Sequence, residues 1–180
     1  MFERVVTSRI IGHMGADGGR NDLSPNQYGF RAARSTIDVL VRVCDAIKET
    51  LRRGGVAIAV SIDVKNAFNS IPWSAIRDGL VSKSVGCSLI CYADDTLLLA
   101  TGREWAEVRD RAEAELDATV EVIRSIGLRV SLPKMEACGF HRPRNRHPNG
   151  LALSTEGVMI GVGRTLKYVG LTFASGLTFG

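Results

Sequence analysis

Metal and disulfide chemistry find little material in this chain. Its four cysteines, Cys44, Cys87, Cys91 and Cys138, include no CxxC pair, and His13, His141 and His147 complete no zinc spacing with them. The cysteines are therefore expected to be reduced core residues of an intracellular protein. No apolar run approaches the length of about 20 residues that a membrane span needs, and "MFERVVTSRIIGHM" lacks the layout of a signal peptide. Disorder is disfavoured as well, because 45% apolar and 23% charged residues match ordinary globular composition. At 180 residues the chain suffices for one domain, or one domain with an appendage. A net charge of +4 suits a polyanionic partner, though many proteins without one share it.

The residues that are present alternate between two periods. Phe2, Val5, Val6 and Ile10 suit a helix without a cap, as if the chain began inside an element, and residues 15–25 suit a loop. Ser35 with Asp38 predicts an N-cap, followed by an apolar face of Ile37, Leu40, Val41, Cys44, Ile47 and Leu51 that ends at Gly54 and Gly55. "VAIAVSID" predicts a strand buried on both faces and ending at Asp63. Ser70 and Pro72 open a helix that runs to Leu80. Residues 87–92 and 96–100 predict a hairpin around Ala93, Asp94 and Asp95. Trp105, Val108, Ala112, Leu116, Val120, Ile123 and Ile126 define a long helix with a solvated charged face, closed by Gly127. "LRVSL" and "EACGF" read as an extended segment interrupted at Pro133, and "HRPRNRHPNG" as a basic, solvated loop. "GVMIGV" and "KYVGLTF" read as the last strands.

From Val56 to Phe140 this order is strand, helix, strand, strand, helix, strand, the ferredoxin-like βαββαβ arrangement of class α+β. Its first and third strands lie side by side. Asp63 would then stand near the turn carrying Asp94 and Asp95. Converging carboxylates repel one another unless a cation neutralises them, and two Mg²⁺ ions held by oxygen ligands suit nucleotidyl transfer. "ADD" alone suits a polar hairpin turn equally well.

Four motifs in order carry a family resemblance. "NQYGFRAARST", "SIDVKNAFNSI", "YADD" after an apolar strand and "KYVGLTF" closely resemble the reverse transcriptases of non-LTR retrotransposons, particularly those of insects. The resemblance runs from "FERVVTSRI" to "GLTF". It implies an RNA-directed DNA polymerase with partial helical fingers over residues 1–55, a palm over 56–140, and a basic loop with primer-grip-like strands over 141–180. Asp63, Asp94 and Asp95 would be the catalytic metal ligands, with Mg²⁺ as the cofactor and Mn²⁺ able to replace it. Phe68 would be either the aromatic gate beneath the sugar or a core ring. Arg31 and Arg34 would contact nucleotide phosphate or remain surface arginines. Lys134 in "LPKMEACGF" would donate a proton to pyrophosphate, and Lys167 and Tyr168 would hold the primer or play surface and core roles. The implied partners are an RNA template, a DNA primer and deoxynucleoside triphosphates, with no membrane. Nuclear work is implied by the family, and the sequence suits nucleus or cytoplasm.

The chain departs from the family's pattern at several points. Ser131 stands where asparagine is usual, and Met135 where threonine is usual. Asp63 and Asp94 are only 31 positions apart, and nothing in "IPWSAIRDGLVSKSVGC" resembles the family's "PQG" element. An internal deletion or a mispredicted splice between Leu80 and Cys87, joining "IRDGL" to "VSKSVGC", is the expectation, as is a missing thumb. Positioning supplies much of the rate in such transfers, so impaired polymerisation is expected.

Overall fold

The computed structural model describes residues 26–29, 33–65, 86–92, 95–125 and 127–177. The expected helices at Phe2–Ile10 and Ser70–Leu80, the loop at 15–25, and Ile126 lie outside the described residues. Within them the chain is a mixed α+β structure with two α-helices and ten strands. Helix α1 spans Thr36–Arg52 and α2 spans Trp105–Ser125. The strands are β1 (Val56–Ile62), β2 (Val64–Lys65), β3 (Cys87–Tyr92), β4 (Asp95–Gly102), β5 (Arg129–Val130), β6 (Glu136–Phe140), β7 (Ala152–Thr155), β8 (Val158–Gly163), β9 (Thr165–Tyr168) and β10 (Leu171–Ala174).

Six strands form one sheet in the order β3-β4-β1-β6-β8-β7. β1 is antiparallel to both β4 and β6, while β8 joins β6 in parallel through Ala137 opposite Val162 and Cys138 opposite Gly163. The first and third strands of the series from Val56 to Phe140, β1 and β4, are thus neighbours, as the pattern predicts. Two short ladders, β2 with β5 and β9 with β10, complete the strand pairing.

β1 is buried on both faces because its side chains feed two cores. Val56, Ile58, Val60 and Ile62 point to the α2 side, where Val108, Ala112, Leu116, Val120 and Ile123 recur at helical spacing. Ala57 and Ala59 point the other way, and their small size leaves room for Phe140, Tyr168 and Phe173. That second core also takes Val39, Val43, Cys44 and Ile47 of α1. It therefore draws on residues from before 56, from 56–140 and from after 140.

The start of α1 follows the sequence, with a capping box in which Ser35 Oγ accepts from the Asp38 amide and Asp38 Oδ2 accepts from the Ser35 amide at 2.7 Å. Its buried face follows in part, since Cys44 and Ile47 are buried and Leu40 and Leu51 pack against the same core. Ile37 and Val41 are 69% and 52% exposed, and Val39 and Val43 take the core positions instead. Two apolar stripes overlap in this helix, and the sheet selects one of them.

Three further expectations are corrected. The polar face of α2 is more than solvated: Glu113 Oε1 accepts from the Ser154 amide at 2.8 Å, Asp117 Oδ1 from Thr155 Oγ1 at 2.7 Å, and Arg124 pairs with Glu156. These contacts clamp α2 to the β7–β8 hairpin. "KYVGLTF" is a hairpin rather than one strand, because Val169 (φ 49°) and Gly170 (φ 76°) both take the left-handed region between paired Tyr168 and Leu171. The segment around Asn145 is likewise an ordered 3₁₀ turn, Pro143–Asn145.

All four cysteines are free thiols. Burial pushes the Cys138 thiol up to about 12 and, with the nearby Glu115 carboxylate, the Cys87 thiol up to about 11. The folded state therefore keeps a proton on Cys138 that the unfolded chain releases above its ordinary value of 9.0. This contribution to stability is fully present below pH 9 and is expected to be lost as pH rises from 9 towards 12. Urea midpoints measured across that window should drop steadily. Cys138→Ala should make the fall shallower, and an identical slope in that variant would assign the alkaline loss elsewhere.

Candidate active site at the carboxylate end of the sheet

β1 and β4 run antiparallel with Ile62 opposite Thr96, so Asp63 and Asp95 stand at the same end of adjacent strands. Asp95 is the first residue of β4, paired with Tyr92 of β3, rather than a turn residue. Its side chain is exposed while the next residue, Thr96, is buried. Asp94 precedes it and lies outside the described residues, as do Phe68 and Arg31.

Lys134 reaches the same place from far along the chain. Its Nζ lies 3.4 Å from Asp63 Oδ2. The β2–β5 ladder, Val64 opposite Val130 and Lys65 opposite Arg129, folds the later segment back onto the end of β1. The Ser131 amide then donates to the Asp63 carbonyl at 2.9 Å, and the 3₁₀ turn Leu132–Lys134 aims the lysine at the carboxylate. Both side chains are well exposed, at 71% for Lys134 and 43% for Asp63. Such a pair contributes at most about 1 kcal/mol, so a competing cation or phosphate can separate it at little cost. Ser131 itself is buried, and its positioning role through the backbone had no sequence signal beyond its place beside Lys134.

The other candidates separate into surface and core. Arg34 stacks over the Tyr28 ring with its guanidinium 4.6 Å from the centroid. Residues 26–28 are tied to the outer edge of β3, where the Tyr28 amide donates to the Cys91 carbonyl at 2.8 Å. Lys167 is exposed, and its backbone amide donates to Glu136 Oε2 at 2.8 Å. Tyr168 is 2% exposed, and its hydroxyl donates to the Ile90 carbonyl at 3.0 Å. Burial raises its phenol pKa strongly, with the charges of Cys91 and Asp95 adding to the effect. Tyr168 is thus a core residue beneath the Asp95 end, and a primer contact through its side chain is closed in this arrangement.

Asp63 and Asp95 offer hard oxygen donors of the kind Mg²⁺ prefers. Among the described residues no three His, Cys, Asp or Glu side chains gather around one point. The donor chemistry fits the cation, with Asp94 as the third carboxylate by sequence. No described helix is long and apolar enough to cross a membrane. No family model matches the chain, and no curated protein matches it either.

Proposed function

We propose that this chain is the reverse transcriptase domain of a non-LTR retrotransposon, with residues 56–140 as its palm and polymerisation impaired by the shortened segment after Asp63. The observation that supports this best is the placement of Asp95 at the same end of the sheet as the Asp63–Lys134 pair. Motif order assigned all three to one reaction centre from distant positions. The strand order β3-β4-β1-β6 is also that of a split βαβ sheet.

In this reading Asp63, Asp94 and Asp95 would hold Mg²⁺. When bound, the cation would supply a lowered pKa for the primer 3′-hydroxyl and charge neutralisation on the phosphates. The hydroxyl proton leaves to solvent, the oxygen bonds to the α-phosphorus of a deoxynucleoside triphosphate, and the bond to pyrophosphate breaks. Lys134, close to Asp63 and weakly held there, gives its proton to the departing pyrophosphate. Tyr168 supports the floor of the site by packing and touches no substrate.

One observation favours a second reading, a non-catalytic retroelement remnant with weak RNA binding. Only 31 positions separate Asp63 from Asp94, and they contain no counterpart of the "PQG" element. The test is primer extension on an RNA template with Mg²⁺ and deoxynucleotides, comparing the wild-type chain with Asp63→Asn and Asp95→Asn. Slow extension is expected from the wild type, with a loss of about 100-fold or more in either variant. A folded wild-type chain that extends nothing would leave the remnant reading.

A further inference from the structure

The chain carries a second charged feature at the opposite end of the sheet from Asp63. Phe140 pairs with Ala57 near the start of β1, and the basic segment 141–150 follows it directly. Asp63 follows the other end of the same strand, roughly 20 Å away at about 3.3 Å per residue. No acidic residue occurs between Glu136 and Glu156, while Arg142, Arg144 and Arg146 fall in that interval. These three arginines account for most of the net charge of +4.

Five other arginines of the chain are held by carboxylates among the described residues, unlike these three. Arg52 and Arg53 pair with Glu49, Arg109 with Asp110, Arg111 with Glu107 and Arg124 with Glu156. Arg142, Arg144 and Arg146 are exposed, and none pairs with a carboxylate among the described residues. The backbone that carries them is nonetheless held in place. Trp105 Nε1 donates to the Asn145 carbonyl at 2.9 Å, and Asn145 Nδ2 donates to the Gly54 carbonyl at 3.0 Å. The rings of Trp105, His141 and His147 meet edge to face in a triangle, with centroids 5.8 to 6.0 Å apart. A cleft of about 400 Å³ opens between this turn and Gly54, lined also by Arg142, Pro143, Arg144 and Asn145.

We infer that this anchored arginine turn is a binding surface for the phosphodiester backbone of RNA, separate from the carboxylate site. Guanidinium forks match phosphate oxygens in two-point contacts, and anchoring the backbone lowers the ordering cost of making them. Alternate residues 142, 144 and 146 carry the charge on a turn that does not itself have to fold on binding. The choice of RNA over an acidic polypeptide rests on the proposed function. A strand touching both ends of the sheet would span about six nucleotides at about 3.4 Å each.

The test is fluorescence anisotropy of a short labelled RNA titrated with the full chain across roughly 50 to 200 mM salt. Wild type is compared with R142A/R144A/R146A and with the corresponding triple lysine variant. Each single-strand phosphate contact contributes about 0.7 to the logarithmic salt slope, so the alanine variant should be shallower by about 2 and at least about tenfold weaker at low salt. The lysine variant should keep most of the slope. Trp105 fluorescence reports whether the loop remains folded, and Arg144→Ala alone, shallower by about 0.7, serves if the triple variant does not. An alanine variant that binds RNA like wild type overturns the inference, and so does polyglutamate competing as well as unlabelled RNA at equal charge. The extension assay separates the two claims. RNA binding through the arginines without extension would sink the polymerase reading alone, whereas extension with arginine-independent binding would sink this inference alone.

Discussion

Phe140→Ala is expected to lower the stability of the fold by about 3–5 kcal/mol. Phe140 is the last residue of β6 and is wholly buried in the core shared by α1, the sheet and the β9–β10 hairpin. Its strand partner is Ala57, and Ala59 follows on the same face. The volume opposite is therefore supplied by the ring itself, and no nearby strand residue can expand to fill it. Domains of this kind have a net stability of about 5–15 kcal/mol, so the substitution should remove about a fifth or more of it. Urea unfolding is the measurement, with the midpoint falling while the slope stays constant. A loss below about 1 kcal/mol would mean that Tyr168 and Phe173 collapse into the space.

The second large effect comes from a backbone approach. Gly55 precedes β1, and a Cβ at that position would lie 2.4 Å from the Gly102 carbonyl oxygen and 3.1 Å from Thr50 Cγ2. Neither Gly102 nor its strand can yield easily, since Val56 and Gly102 form the first pair of the β1–β4 ladder. Gly55→Ala is expected to cost about 2–3 kcal/mol through displaced backbone. Gly54 makes the contrast. It takes a φ of +81° with nothing within 4 Å of its would-be Cβ, so Gly54→Ala meets only the left-handed penalty of about 1–2 kcal/mol. Thermal or urea unfolding of the two variants should therefore rank Gly55→Ala as the more damaging. The reverse order would show that the strand end adjusts.

Local patterns were good guides wherever a single period or a cap decided the outcome. Ser35 and Asp38 specify the start of α1 by bonds within four residues. Trp105 to Ile123 keeps one apolar stripe, so α2 could be read with its correct inner face. α1 is different because Ile37 and Val41 form an apolar stripe as good as that of Val39 and Val43. The hairpin at Val169 was missed for a chemical reason. A β-branched residue in the left-handed region is an uncommon turn former, and the Val-Gly pair carries less turn signal than Asn-Gly. Tyr168 was an ambiguous candidate until burial and its bond to Ile90 made it part of the floor.

The sequence by itself determined the runs and their ends: a doubly buried β1, the carboxylate of Asp63 at its end, free cysteines, and a basic segment without acidic residues. These follow from composition and from periods of two and 3.6 residues, which act over short stretches of chain. Tertiary structure alone decided the pairings. It brought Lys134 to Asp63 through a ladder of two residue pairs, clamped the charged face of α2 to β7, and fastened the arginine turn to Trp105 and Gly54. The partners in each case lie between about 30 and 90 positions apart, so no local pattern encodes them and only the closed sheet selects which groups meet.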